Sequence, residues 1–253
     1  MNRSFKLKSR FLFFITIPAF LFLSSCTGRS NEIGGSKDVN PETIWFDYQI
    51  SGEEGRDDIS VMLQFRFAGK NGTTLVLDGG SKVELDGQLI KADSSKITGA
   101  FYEVMKPVNE FIGKHNIIFT DINGKQYKEE FSFNPISLKT KIPDSLYRED
   151  LVFELDGLDH TDFVRVLLTD TAFTSEGINR VDTVKNGRVI ITKEDLESVV
   201  NGPVQLELIK EDEKPVKNGT NEGGHISINY GLKRSFKLSP LNPPKGGLPE
   251  PQK

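Results

Sequence analysis

The chain holds one cysteine, Cys26, and three histidines, His115, His160 and His225. A lone thiol excludes an intramolecular disulfide and any metal site built from several cysteines, although its sulfur can still accept a covalent group. Acid-base or metal chemistry would therefore have to draw on the histidines or on carboxylates. His115 alternates with Ile117 and Phe119, the pattern of a residue packed in a strand. His160 lies in the polar string Leu158-Asp159-His160-Thr161-Asp162, whose spacing fits turn chemistry and no hard-cation loop. His225 follows Gly223-Gly224 and opens a strand, with no catalytic partner in view. Asp121-Ile122-Asn123-Gly124 starts like a calcium-binding loop, but Ser132 stands where that loop needs its closing glutamate. Glu53-Glu54, Asp57-Asp58 and Glu129-Glu130 are adjacent pairs, and neighbouring strand residues point to opposite faces, so these carboxylates do not converge on one sugar ring. No nucleophile elbow, phosphate loop, paired-histidine zinc helix or dinucleotide fingerprint occurs. The expectation is a non-enzymatic protein with no catalytic residue, no metal ligand and no cofactor.

A binding role has one candidate residue. In Ile44-Trp45-Phe46-Asp47-Tyr48-Gln49-Ile50 the period of two turns Ile44, Phe46, Tyr48 and Ile50 inward and leaves Trp45, the only tryptophan, outside with Asp47 and Gln49. An outward tryptophan marks contact with a sugar, a protein or another part of the same chain. The 18 phenylalanines far outnumber the 5 tyrosines and 1 tryptophan, a bias that suits cores better than sugar platforms.

The N-terminus carries Arg3, Lys6, Lys8 and Arg10 without an acid, and an apolar run follows from Phe11 to Leu23. That run fits the ~7 to 15 residues of a secretory signal and falls short of the ~20 needed to span a bilayer. Next comes Leu23-Ser24-Ser25-Cys26. This string resembles the lipobox of bacterial lipoproteins. The resemblance implies cleavage before Cys26 after its thiol has taken a diacylglyceryl group, and a mature chain held to the membrane by several acyl chains. Thr27 stands where an aspartate would signal retention at the inner membrane, so the resemblance further implies the outer membrane. With 32 basic and 36 acidic residues and a formal charge of -4, the chain is not built to neutralise phosphates, and nucleic acid is excluded as a partner. An envelope protein or a glycan is the expected partner.

These residues must be held by a β-rich body. Val61, Leu63, Phe65 and Phe67 share one face of a strand. Asp86-Gly87, Asn123-Gly124 and Asn186-Gly187 sit between β-rich flanks and predict three hairpins, because Asn-Gly and Asp-Gly accept the positive φ of tight turns. One short helix is predicted at 192–200, with Thr192 as its cap, Asp195 three residues on and Asn201-Gly202-Pro203 ending it. The reading is an all-β chain of two antiparallel immunoglobulin-like β-sandwiches, with that single helix in the second. Its divisions are a signal peptide at 1–25, a flexible tether at 26–42, one sandwich at 43–138, a second at 148–239, and a Pro-rich disordered tail at 240–253. The architecture resembles that of uncharacterised envelope lipoproteins with tandem immunoglobulin-like domains. The expected function is a lipid-anchored binding or scaffold module. The alternatives are a carbohydrate-binding lipoprotein of the outer membrane, for which Trp45 is the platform, and a hydrolase on a sandwich scaffold.

Overall fold

The computed structural model describes residues 32–95, 97–158, 162–172, 175–184 and 186–240. The expected signal peptide, Cys26, His160 and residues 241–253 of the expected tail lie outside the described residues. The first strands are β1 (Ile33–Gly35), β2 (Ile44–Glu53), β3 (Asp58–Phe67), β4 (Thr73–Val76), β5 (Lys82–Leu85), β6 (Gln88–Leu89), β7 (Ala92–Ser95), β8 (Gly99–Pro107), β9 (Gly113–Thr120) and β10 (Gln126–Phe133). Then follow β11 (Ser137–Leu138), β12 (Ser145–Tyr147), β13 (Leu151–Asp156), β14 (Phe163–Asp170), β15 (Ile178–Thr183), β16 (Arg188–Ile191), β17 (Gly202–Pro215) and β18 (Gly224–Ser239). Among the described residues there is no α-helix, and no helix is long and apolar enough to cross a membrane.

The alternation seen in the sequence sets the layers. On β2, Ile44, Phe46, Tyr48 and Ile50 are buried, and on β3 so are Ile59, Val61, Leu63 and Phe65. Phe119 of β9 meets Phe46 edge-on at 5.2 Å and Phe65 at 4.9 Å. Those rings pin the four-stranded sheet β10-β9-β5-β6 over the β2–β3 face. In the C-terminal half, Val164, Val166 and Leu168 of β14 with Leu206 and Leu208 of β17 are buried, as are Phe153, Leu155, Val189 and Ile191 of the three-stranded sheet β11-β13-β16. The buried side chains of both halves form a single hydrophobic cluster.

One eleven-stranded sheet runs through both halves. β18 pairs antiparallel with β17 from Gly202↔Leu238 to Pro215↔His225, and on its other side pairs parallel with β2 from Gly224↔Phe46 to Gly231↔Glu53. Gly224 is where β18 enters beside β2. A Cβ there would sit 2.5 Å from the Phe46 carbonyl oxygen, so only glycine fits that approach. Beyond Gly231 the same edge of β18 takes β12, parallel, at 237–239. Part of the stretch read as a tether is also structured. Ile33–Gly35 pairs in parallel with β4, and Ser36 is buried with its hydroxyl accepting from the Asp78 amide at 2.9 Å.

Two expectations from local sequence change. The Asp86-Gly87 turn joins paired strands, with both residues at positive φ (50° and 78°) and Leu85↔Gln88 closing the ladder. Asn186-Gly187 has the same positive φ (54° and 70°), yet β15 pairs with β14 and β16 with β13, so the turn passes between sheets instead of closing a hairpin. Turn residues fix backbone angles, and burial decides which strands pair. The helix predicted at 192–200 is a single 3₁₀ turn, Asp195–Ser198. The reciprocal cap forms: the Asp195 amide donates to Thr192 Oγ1 at 3.2 Å, and the Thr192 amide donates to Asp195 Oδ2 at 2.8 Å. The turn stops there because Leu196 and Val199 are drawn into the core, and the Val200 amide, which a helix would direct to the Leu196 carbonyl, donates to Asp170 Oδ2 instead.

Candidate ligand cleft

β17 is longer than the C-terminal half needs. Leu206 and Leu208 are buried, and the next residues on the same face are Lys210, Asp212 and Lys214, opposite Tyr230, Ile228 and Ile226 of β18. Paired residues share a face, so these three charged side chains stand on the side of the sheet that carries the core. Asp212 and Lys214 remain partly exposed because β10 is the last strand of the four-stranded sheet, whereas Lys210 is largely covered by Gly157 and Asp162. Phe133 of β10 meets Tyr230 of β18 edge-on at 5.9 Å, which places that edge over β18 and leaves β17 projecting beyond it. The step encloses a cleft of about 510 Å³, lined by the end of β10 from Glu130 to Phe133 with Asn134 beyond it on one side, by Lys210, Asp212 and Lys214 on the other, and by Ile228 and Tyr230.

The charges in the cleft are partly balanced. Lys210 Nζ lies 2.7 Å from Asp162 Oδ2 and donates to the Gly157 carbonyl at 3.2 Å, while Lys214 Nζ lies 2.8 Å from Asp212 Oδ2. Glu130 is held below the ordinary glutamate range, first by its hydrogen bond and charge pairing with Lys128 and then by the more distant cations Lys114 and Lys217. Lys114 and Lys217 are exposed and form no ion pair among the described residues. They leave the cleft with positive charge to spare in an otherwise acidic chain.

The β17–β18 loop is tied to the back of the same edge. The Lys217 amide donates to Glu129 Oε2 at 2.8 Å, and Asn218 Nδ2 donates to the Lys128 carbonyl at 2.9 Å. Glu129 is buried, and its Oε1 has no hydrogen-bond partner among the described residues. Farther along, Glu42 accepts from Lys125, from the Tyr127 hydroxyl and from the Asn221 amide, and the Lys125 and Tyr127 contacts lower its pKa most.

The residues singled out in the sequence lie elsewhere. Trp45 stands half-buried on the outer face, 6.0 Å from the His225 ring, beside an open groove that Pro215 and Gly223 also line. Its Nε1 and His225 Nδ1 are buried without partners among the described residues, while His225 Nε2 lies 3.4 Å from Asp47 Oδ1. Asp47, expected outside with Trp45, is buried, as are its neighbours Gln64 and Arg66. The segment into β8 covers them, since Gln64 Nε2 donates to the Thr98 and Ala100 carbonyls at 2.9 and 3.2 Å. His115 stacks on Phe111 at 3.7 Å, with Nδ1 2.7 Å from Asp86 Oδ2 and Nε2 2.9 Å from the Phe111 carbonyl. Both ring nitrogens are thus engaged in structural contacts. Among the described residues no group of three or more His, Cys, Asp or Glu could hold a metal ion.

None of the cleft lysines stood out in the sequence. The run Leu206, Leu208, Lys210, Asp212, Lys214 does carry a signal, because one face of one strand passes from apolar to charged. That signal becomes legible only once Ile226, Ile228 and Tyr230 are known to pair opposite it.

No protein-family model matches the chain, and no curated protein matches it. Among solved structures it is similar to the two immunoglobulin domains of DIP-gamma, at 10% identity over 78% of this chain and 95% of that one, with a TM-score of 0.22. It is also similar to SGBP-B of the Bacteroides ovatus mixed-linkage glucan utilization locus, at 10% identity over 85% of this chain and 68% of that one, with a TM-score of 0.23. A third likeness is to a bacterial ice-binding adhesin, at 11% identity over 80% of this chain and 66% of that one, with a TM-score of 0.24. No property of those proteins is carried over at such scores.

Proposed function

We propose that this is a lipid-anchored protein of the bacterial envelope, moored through Cys26 at the outer membrane. Its halves, 43–138 and 148–239, act as two immunoglobulin-like sandwiches that share a sheet and hold a ligand without transforming it. The cleft carries this reading. A concave site of about 510 Å³ falls in the usual size range for binding pockets; its lining is chiefly charged and polar, with Phe131, Phe133, Ile228 and Tyr230 as the apolar part, and it lies where the two halves meet. The parallel β2–β18 pairing, with the hydrogen bonds of Lys217 and Asn218 to Glu129 and Lys128 of β10, fixes its walls relative to one another.

The test is photo-crosslinking in intact cells, with a benzophenone side chain placed at Ser132 in the cleft or at exposed Leu89 on β6. The expected result is an adduct at Ser132 and none at Leu89; equal labelling at both positions would overturn the assignment of the site. In the same cells, incorporation of a fatty-acid probe is expected to vanish in Cys26→Ala, and retained label contradicts the anchor. A glycan reading is favoured by one observation, the two unpartnered ring nitrogens of Trp45 and His225 beside an open groove. It predicts that a benzophenone in place of Lys214, on the rim of that groove, is shielded by added glycan in the wild-type background and not in Trp45→Ala.

A further inference from the structure

β10 presents a free strand edge to the cleft. Its ladder to β9 runs from Gln126↔Thr120 to Phe133↔Gly113, and among the described residues no strand pairs on its other side. Because Asn218 Nδ2 reaches the Lys128 carbonyl from outside the ladder, the even-numbered residues of β10 direct their backbone groups away from β9. At Lys128 the β17–β18 loop satisfies that edge. At Glu130 and Ser132, which face the cleft, the outward amides and carbonyls have no protein partner among the described residues.

The geometry beside this edge fits one more strand. Past β10 the large sheet continues into β17, which β14 joins only from Phe163↔Glu211 onward, so 212–215 of β17 form a sheet edge among the described residues; strands in a sheet lie ~4.8 Å apart while stacked sheets lie ~10 Å apart. A chain added to β10 would therefore lie over β17 and complete the second layer. Its side chains would alternate between the Lys210–Asp212–Lys214 shelf and the outer surface, where Lys114 stands behind Ser132 in register. Lys210 and Lys214 already have carboxylate partners, whereas Lys114 and Lys217 are in excess.

We infer that the cleft binds an extended acidic polypeptide segment, which adds to β10 along 130–133 as an extra strand and directs carboxylates to Lys114 and Lys217. This rests on the cleft being the binding site and specifies its ligand class. Main-chain hydrogen bonds would supply the affinity, and the surplus lysines the choice of acidic over basic sequence.

The probe is a display library of random linear peptides, panned against the full lipidated chain in nanodiscs. Acidic, strand-forming sequences are expected to be enriched, and adding one should slow hydrogen exchange of the Glu130 and Ser132 amides. Ser132→Pro, which removes an outward donor from an edge where proline is tolerated, should weaken binding at least about tenfold. Lys114→Glu with Lys217→Glu leaves the fold untouched and should shift enrichment from acidic to neutral or basic peptides. The inference is overturned by enrichment of basic peptides, by protection of another strand edge, by unchanged binding in both variants, or by no enrichment at all. A Ser132 crosslink to a glycan, with no peptide binding, would overturn this inference while leaving the cleft as the site.

Discussion

The two ends of β17 show how one strand face answers two surroundings. At 204–208 its inward residues Val204, Leu206 and Leu208 are buried beneath the C-terminal half, while at 210–214 the same face carries Lys210, Asp212 and Lys214 beside an open edge. The backbone pairing with β18 is unbroken across both stretches. What changes is whether a second layer lies above, so a covering sheet accounts for apolar residues and its absence for charged ones.

Substitutions along β17 test this contrast directly. Leu206→Ala should cost about 2–5 kcal/mol in urea unfolding, since it empties a fully buried site; a cost near zero would mean that the C-terminal core is not packed over this stretch. Behind the uncovered stretch, Glu129→Ala removes the acceptor for the Lys217 amide. Exchange of that amide should quicken by about tenfold, about 1.4 kcal/mol of local stability, while the amides of Leu206 and Leu208 keep their rates. Lys214→Ala should change unfolding by no more than about 0.5 kcal/mol, because its partner Asp212 is itself partly exposed and solvent screens such a pair. A larger loss would show that the shelf supports the fold and is not held in reserve for a ligand.

How much of this the sequence discloses depends on the range of the interaction. The inward residues of the alternations, Ile44, Phe46, Tyr48 and Ile50 with Val61, Leu63 and Phe65, and the Asp86-Gly87 turn are local and are found where the pattern placed them, whereas Asp47, expected outside, is buried and Phe67, expected inside, is exposed. Asn186-Gly187 has the right turn chemistry, but whether β15 and β16 pair depends on β13 and β14, which lie outside any local window. The 192–195 cap is equally legible, and its helix fails because Asp170, far away in sequence, takes the Val200 amide that would continue it. Trp45 was found by composition, yet its surroundings depend on His225, brought beside it by the parallel β2–β18 pairing. The cleft is the least legible feature, because a step between sheets exists only after every strand has its neighbour.

That parallel pairing also orders events in time. β2 is synthesised well before β18, so β2 has its final neighbour only once all the intervening strands have been made. Until then the early half carries a bare template for intermolecular strand exchange, and contacts this far apart in sequence form slowly. A chain crossing a membrane before folding would need a holdase on the far side until β18 arrives, and truncations that lose residues 224–231 should aggregate even with the N-terminal half intact.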